Sequence, residues 1–141
     1  MGKHMRTRLA AAPAAAAPLV LAGACAGCGP GPLYLPLSSR EQFRGEVLGS
    51  PRPAVVLFHS PFCSRCMLSY GALDGLADEF KGRVGFYHAA YRGGPGELLQ
   101  EQHIELFPTV VLYAGGAERK RCTDAGRLGP LRDAIGEALR R

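Results

Sequence analysis

The sequence predicts an α/β protein with a central mixed sheet of four to five strands and helices on both faces. Apolar runs that suit buried strands alternate with segments of helical periodicity, an order typical of a sheet covered by helices. Near the C-terminus, two strand-like runs flank Gly115 and Gly116, which predicts an antiparallel hairpin in the same sheet. The predicted order is β-α-β-α-β-α-β-β-α.

The first three elements lie in residues 33–59. Residues 33–37 are a short apolar run and are predicted to form the first strand. Ser38 or Ser39 can cap the helix that follows, which is predicted to end at Gly49. Residues 54–59 contain a continuous apolar run with β-branched members, which predicts a central strand buried on both faces.

A long helix is predicted directly after that strand. One set of side chains recurs at steps of 4, 3, 4 and 3 residues and marks a single helical face: Cys66, Tyr70, Leu73, Ala77 and Phe80. Gly82 is predicted to end this helix.

The second half of the chain predicts three strands and two helices. Residues 84–90 are the next strand, and a helix is predicted to begin at Pro95. Residues 110–113 and residues 118–123 are predicted to form the hairpin. The last helix is predicted to begin at Pro130.

The N-terminus has the pattern of an export signal. An Ala-rich apolar run, which is short and interrupted by proline, follows three basic residues: Lys3, Arg6 and Arg8. This pattern is typical of a secretory signal peptide, and the apolar run is too short for a transmembrane helix. Residues 1–28 are predicted to be the signal peptide, residues 29–32 a tether and residues 33–141 one folded domain. The mature protein is then expected in a bacterial periplasm or envelope.

Two cysteines leave the processing of this segment open. Ordinary cleavage can occur among the small residues 22–26. Alternatively, small residues before a cysteine are typical of a lipoprotein signal, in which that cysteine becomes lipidated. Cys28 follows Ala26 and Gly27, while Cys25 is a looser match. The lipoprotein interpretation predicts a lipid anchor on the mature protein.

The charge of the folded part argues against a nucleic-acid partner. The chain has 17 basic and 12 acidic residues, and three of the basic residues lie in residues 1–27. The remaining 14 basic and 12 acidic residues leave that part close to neutral. The basic run at residues 119–121 is predicted to be a solvated strand edge.

Five cysteines form two C-x-x-C pairs and one single thiol: Cys25, Cys28, Cys63, Cys66 and Cys122. The pairs are separated by 34 residues, whereas about 15–20 are typical of a shared zinc site. The first pair also lies in the segment predicted to be removed or lipidated, so no metal and no cofactor is predicted. Cys122 is predicted to be a buried small hydrophobe, with an exposed regulatory thiol as the alternative.

Cys63 and Cys66 are the candidate reactive pair. A thiol attacks a disulfide as the thiolate, and unpaired backbone N–H groups at a helix N-terminus favour an anion. Cys63 lies between the predicted central strand and long helix, and Arg65 adds positive charge nearby. Cys66 follows one turn later and is predicted to turn toward the core. The spacing predicts an exposed attacking thiol and a shielded resolving thiol, against the alternative of a permanent disulfide or two core thiols.

Two segments resemble the thioredoxin superfamily. Residues 58–66, Phe-His-Ser-Pro-Phe-Cys-Ser-Arg-Cys, resemble its active-site strand and turn. Residues 104–113, Ile-Glu-Leu-Phe-Pro-Thr-Val-Val-Leu-Tyr, resemble the stretch that carries its cis-proline. The likeness extends over residues 33–141 and implies a thioredoxin-like fold. It also implies a cis peptide between Phe107 and Pro108 beside the cysteines, in a groove where the backbone of residue 107 pairs with an extended substrate.

Several positions around the pair depart from the family pattern. Phe62 stands where thioredoxins carry Trp, and Ser64 and Arg65 replace Gly and Pro between the cysteines. These three residues are predicted to tune the pKa of the reactive thiol or to shape the site.

The buried acid–base pair of the family is also missing. Leu57 occupies the position of the buried Asp, and residues 84–90 contain no Lys. His59 is the nearest titratable substitute, and it either tunes a thiol pKa or fills the family's aromatic position. His88 and His103 are predicted to be structural or surface residues.

The resemblance implies a thiol–disulfide oxidoreductase that acts on protein thiols and disulfides. The export signal predicts that it works in the cell envelope, where a membrane electron donor or acceptor is expected to recycle it. Arg65 favours the oxidising direction, whereas the lack of an inserted helical subdomain favours a reductase, so the balance leans slightly to reductase. Two alternatives remain. One is a Cu(I) module that uses Cys63, Cys66 and either His59 or Cys122. The other is a redox-inactive substrate-binding module of the same fold.

Overall fold

The computed structural model describes residues 33–92, 94–124 and 126–141. Its strands are β1 (Leu35–Pro36), β2 (Ala54–His59), β3 (Gly85–Ala90), β4 (Thr109–Ala114) and β5 (Ala117–Cys122). Its helices are α1 (Arg40–Gln42), a π-helix (Phe43–Leu48), α2 (Ser64–Glu79), α3 (Gly96–Glu101) and α4 (Gly129–Ala138). The predictions for the signal peptide, the tether, Cys25 and Cys28 lie outside the described residues.

The five strands form one mixed sheet in the order β1-β3-β2-β4-β5. Strand β2 pairs in parallel with β3 and antiparallel with β4, and β4 and β5 form the predicted hairpin. Gly115 and Gly116 in its turn both have positive φ, 62° and 76°, a conformation that glycine adopts without steric cost. Strand β2 is therefore central, as its continuous apolar run predicts.

Helices cover both faces of the sheet and enclose two apolar clusters. One cluster joins alternate residues of β2 to helices α2 and α4, with Leu73 and Ile135 fully buried. The other joins Ala54, Val56 and Phe58 of β2 to the π-helix and α3, with Phe43 and Leu98 both buried. Every residue of β2 is buried, so the strand end that precedes Cys63 is held rigidly from both sides.

The first helix differs from the prediction in its winding. Ser39 caps it as expected, with its hydroxyl accepting a hydrogen bond from the Gln42 N–H at 3.1 Å. From Phe43 onward the backbone winds as a π-helix, and the Gly49 N–H donates to the carbonyl of Arg44, five residues earlier. A Cβ at Gly49 would lie 2.9 Å from the Gly45 carbonyl oxygen, so glycine permits this close final turn.

Other element ends shift by one or two residues. Strand β1 contains only two residues instead of the predicted five, and β4 gains Thr109 and Ala114. None of the helices in the described part of the chain is long and apolar enough to span a bilayer.

Candidate active site

Cys63 lies between strand β2 and helix α2, where the sequence places it. It is the N-cap residue of α2, with extended backbone angles of φ −103° and ψ 105°. The Cys66 backbone N–H donates to the Cys63 Sγ at 3.2 Å. The sulfur therefore takes the place that a Ser or Asp oxygen takes in an ordinary N-cap, where the helix dipole favours a negative charge.

Cys63 and Cys66 form a disulfide, with their Cα atoms 5.2 Å apart. Their surroundings differ, since Cys63 is half-buried while Cys66 is only 1% exposed. A substrate can reach the first sulfur and not the second. Of the two sulfurs, Cys63 is therefore the more accessible.

The segment before strand β4 lies across from the pair. The peptide bond between Phe107 and Pro108 is cis, as the family resemblance implies. The Phe107 carbonyl oxygen is 3.8 Å from the Cys63 Sγ. The Thr109 hydroxyl donates to the Leu106 carbonyl at 2.7 Å and ties this segment together. A backbone carbonyl beside the reactive sulfur is a group with which an extended peptide can pair.

Exposed apolar side chains lie close in the chain to the cysteine pair and to Pro108. Phe62 is 85% exposed directly before Cys63, and Leu68 and Leu106 are also largely exposed. A cavity of about 310 Å³ lies beside Pro108 and is lined in part by Arg65 and Leu68. Clustered exposed apolar groups are typical of a surface that binds a partner.

Ser64 and Arg65 occupy the first turn of α2 and both are exposed. The Arg65 carbonyl accepts a hydrogen bond from the Ser69 hydroxyl at 2.9 Å, within the helix. The residues that separate the cysteines therefore face the solvent, where they can contact a substrate.

His59 is buried at the end of β2 and bonds to two partners. Its Nδ1 lies 3.0 Å from the Tyr70 hydroxyl, and its Nε2 lies 3.0 Å from Nδ1 of His88. Burial, helped by the nearby His88, lowers the pKa of His59 to about 4. Sequence reasoning singled out His59 but missed its pairing with His88. The signal for that pairing was the parallel alignment of β2 and β3, which brings both rings to one face of the sheet.

The structure also tests the expectations for Cys122 and for the alternative Cu(I) site. Cys122 is half-buried opposite Val110 and packs against the core, and burial raises the pKa of its thiol. Within the three described ranges, no group of three or more His, Cys, Asp or Glu side chains could hold a metal ion. The proposed Cu(I) set of Cys63, Cys66 and either His59 or Cys122 is therefore not brought together there.

The fold and the site define an α/β protein with a dithiol–disulfide pair at a helix N-terminus. Residues 35–137 match the family model described as Thioredoxin. The chain therefore belongs to the thioredoxin family, which confirms the resemblance seen in its two motifs.

Individual relatives agree with this assignment. The chain is 30% identical over 102 residues to the chloroplastic M-type thioredoxin of Spinacia oleracea, over 72% of this chain and 54% of that protein. It is 25% identical over 99 residues to a thioredoxin of Rickettsia felis, over 70% of this chain and 93% of that protein. The chain thus spans about half the length of the spinach relative.

A solved structure confirms the predicted thioredoxin-like fold. The thioredoxin of Malassezia sympodialis superposes with a TM-score of 0.64 at 25% identity and covers 74% of this chain and 89% of that one.

Proposed function

We propose that the protein is a thiol–disulfide oxidoreductase that exchanges disulfides with protein substrates through Cys63 and Cys66. The observation that carries this proposal is the disulfide between a half-buried sulfur at the start of α2 and a fully buried sulfur one turn later. A purely structural crosslink needs neither an accessible sulfur nor an apolar surface around it.

The reducing direction proceeds in two balanced steps. The Cys63 thiolate attacks a substrate disulfide, which forms a mixed disulfide and releases one substrate thiolate that takes up a proton. Cys66 then loses its proton and attacks the Cys63 sulfur, which closes the Cys63–Cys66 bond and releases the second substrate thiolate. Two electrons pass from the protein dithiol to the substrate. The oxidising direction is the reverse sequence.

The site stabilises both the thiolate and the bound substrate. The Cys66 N–H and the N-terminus of α2 stabilise negative charge on Cys63. The Phe107 carbonyl can accept a hydrogen bond from an extended substrate strand, while Phe62 offers it an apolar contact. Backbone pairing of this kind is independent of substrate sequence, so it suits a general exchange protein.

We further propose that the protein leans toward the reductase direction. Between β3 and β4 the described residues contain one helix, the six-residue α3, and no inserted helical subdomain. Arg65 favours the reduced thiolate and therefore acts in the opposite sense. A reductase of this kind requires a membrane electron donor that regenerates the dithiol, and an oxidase requires an acceptor.

The location that we propose is the cell envelope. The support is the basic start and Ala-rich apolar run of residues 1–28, together with Cys25 and Cys28 as candidate lipidation sites. A lipid anchor would keep the domain close to a membrane partner, with residues 29–32 as a tether.

The test uses the full chain with Cys25, Cys28 and Cys122 replaced by Ser, so that only the reactive pair remains. Dithiothreitol-driven reduction of insulin disulfides is followed by turbidity. In this background, Cys63→Ser is expected to abolish the activity. Reduced Cys66→Ser, freed of dithiothreitol and then mixed with insulin, is expected to accumulate a mixed disulfide, detected by mass spectrometry.

The unmodified chain serves as the control for the three background substitutions. The assigned roles would be refuted if both variants reduced insulin as fast as the protein that carries only the three Ser substitutions. Undiminished insulin binding without any reduction in the background protein would instead indicate the redox-inactive binding module.

A further inference from the structure

Three titratable side chains, one on helix α2 and two on the sheet, form a hydrogen-bonded row. The Tyr70 hydroxyl is 3.0 Å from Nδ1 of His59, and Nε2 of His59 is 3.0 Å from Nδ1 of His88. His59 is 7% exposed, whereas Tyr70 and His88 are half-buried. The exchange mechanism described above does not use this row.

The row has a hydrogen arrangement in which both rings are neutral. If the Tyr70 O–H donates to Nδ1 of His59, then the His59 Nε2–H donates to His88, and Nε2 of His88 carries the last hydrogen. Burial lowers the pKa of both imidazoles, so both are neutral at pH 7. A neutral imidazole accepts at one nitrogen while it donates from the other. The row can therefore pass a proton along its length without holding the charge.

One end of the row is on the same helical face as Cys66, and the other end lies near the edge of the sheet. Tyr70 follows Cys66 by four residues on α2, a spacing that places neighbours on one helical face. His88 lies on β3 beside the edge strand β1, and its carbonyl accepts a hydrogen bond from the Leu37 N–H at 2.9 Å. Because His88 is half-buried near the sheet edge, this end of the row is accessible to solvent. Cys66 itself is fully buried.

Two further ionisable groups line the same region. Asp74 follows Tyr70 by one more turn of α2, and its buried Oδ1 has no hydrogen-bond partner within the described residues. Burial raises the pKa of Tyr34, and the charges of Asp74 and Tyr70 raise it further. A carboxylate one turn from Tyr70 on the same helix favours the transient positive charge that accompanies a moving proton.

We propose that Tyr70, His59 and His88 form a proton relay that removes the thiol proton of Cys66 when Cys66 attacks the mixed disulfide. The inference rests on the proposed exchange function. The proton leaves the Cys66 sulfur for the Tyr70 end, and a proton leaves Nε2 of His88 for the solvent. The Cys63–Cys66 bond forms, the bond from Cys63 to the substrate sulfur breaks, and the substrate departs as a thiolate. The three residues act through Cys66 and do not contact the substrate.

The test separates the two exchange steps with Ellman's reagent. The full chain with Cys25, Cys28 and Cys122 replaced by Ser is reduced and mixed with the reagent in a stopped-flow instrument. Attack by Cys63 releases one thionitrobenzoate in a first phase, and attack by Cys66 releases a second one in a later phase, both observed at 412 nm.

His59→Phe keeps an aromatic ring at this position and removes both hydrogen bonds. It is expected to slow the second phase by at least about tenfold at pH 7, a conservative figure against the roughly 100- to 10,000-fold typical of general acid–base catalysis, and to change the first phase by less than about twofold. Above pH 9 the difference should shrink, because hydroxide then removes the Cys66 proton directly.

Tyr70→Phe is the second variant and carries the test if His59→Phe does not fold. It should slow the second phase in the same way. The matched control is Tyr87→Phe, which removes a buried hydroxyl that donates to the Glu46 carbonyl at 3.3 Å on the other face of the sheet. This control should leave both phases unchanged.

The outcomes separate the relay from the proposed function. An unchanged second phase in Tyr70→Phe overturns the relay, and so does a slowing that stays the same when the pH is raised from 7 to 10. If the background protein shows neither phase, the proposed exchange function fails, whatever the variants do.

Discussion

Acid should destabilise this protein through His59, and the size of the effect follows from its burial. The folded ring has a pKa of about 4, whereas an unfolded histidine titrates near about 6.5. Because the folded pKa is the lower one, the unfolded chain binds more protons between these values. The stability that the neutral ring contributes is therefore complete above pH 6.5 and is lost as the pH falls toward 4.

The loss of stability between pH 7 and pH 5 is large enough to measure. With these two pKa values, the titration of His59 lowers the free energy of unfolding by about 2 kcal/mol between pH 7 and pH 5. Burial also lowers the pKa of His88, so its contribution has the same sign. Carboxylates whose pKa values are lowered, such as Glu118, lose their contributions at still lower pH. The interval between pH 7 and pH 5 thus isolates the histidines.

The assay is urea unfolding of the disulfide form at pH 7 and pH 5. The sequence contains no Trp, so circular dichroism at 222 nm is the suitable signal. For a denaturant slope of about 2 kcal/mol per molar urea, the midpoint should fall by about 1 M at pH 5. His59→Phe should remove most of this fall.

The control is His103→Asn, which deletes an exposed histidine. His103 has a φ of 51°, and Asn tolerates that conformation well. This variant should keep the whole fall in midpoint. If His59→Phe loses as much stability as the parent between the two pH values, the buried neutral histidine is not the cause.

Two further predictions concern substrates and location. Phe62 is 85% exposed, so Phe62→Ser should change the free energy of unfolding by less than about 0.5 kcal/mol while slowing insulin reduction severalfold. Equal slowing with Ellman's reagent would show that Phe62 acts on the thiol and not on the protein substrate. In the native cell, fractionation should find a processed chain in the envelope, and Ser at whichever of Cys25 and Cys28 is lipidated should move it from the membrane to the soluble envelope fraction. An unprocessed chain that stays in the cytoplasm would contradict the proposed export.

Much of the fold could be predicted because its central elements have strong local patterns. Strand β2 has the predicted bounds, since a run such as Val-Val-Leu-Phe is stable only where both faces of a strand are buried. Helix α2 was marked by its apolar row, and Cys66 and Leu73 of that row are fully buried. Elements with weaker patterns, such as the two-residue β1, were less well bounded because pairing partners define a short edge strand.

The sequence alone determined the chemistry that the site can carry. The C-x-x-C spacing after a buried strand places one sulfur at a helix N-terminus and the next one turn later, because 3.6 residues make a turn. Composition and charge likewise predict that the N-terminal segment is separate from the folded domain.

Only the tertiary structure decided which distant groups meet. The sequence could not show that His59 bonds to His88 and Tyr70, since that contact depends on the register of β3 against β2 and on the packing of α2 over both strands. It also could not place the Phe107 carbonyl 3.8 Å from the Cys63 sulfur. Such contacts arise between residues far apart in the chain, and their geometry is set by the packing of the whole core and not by local preference.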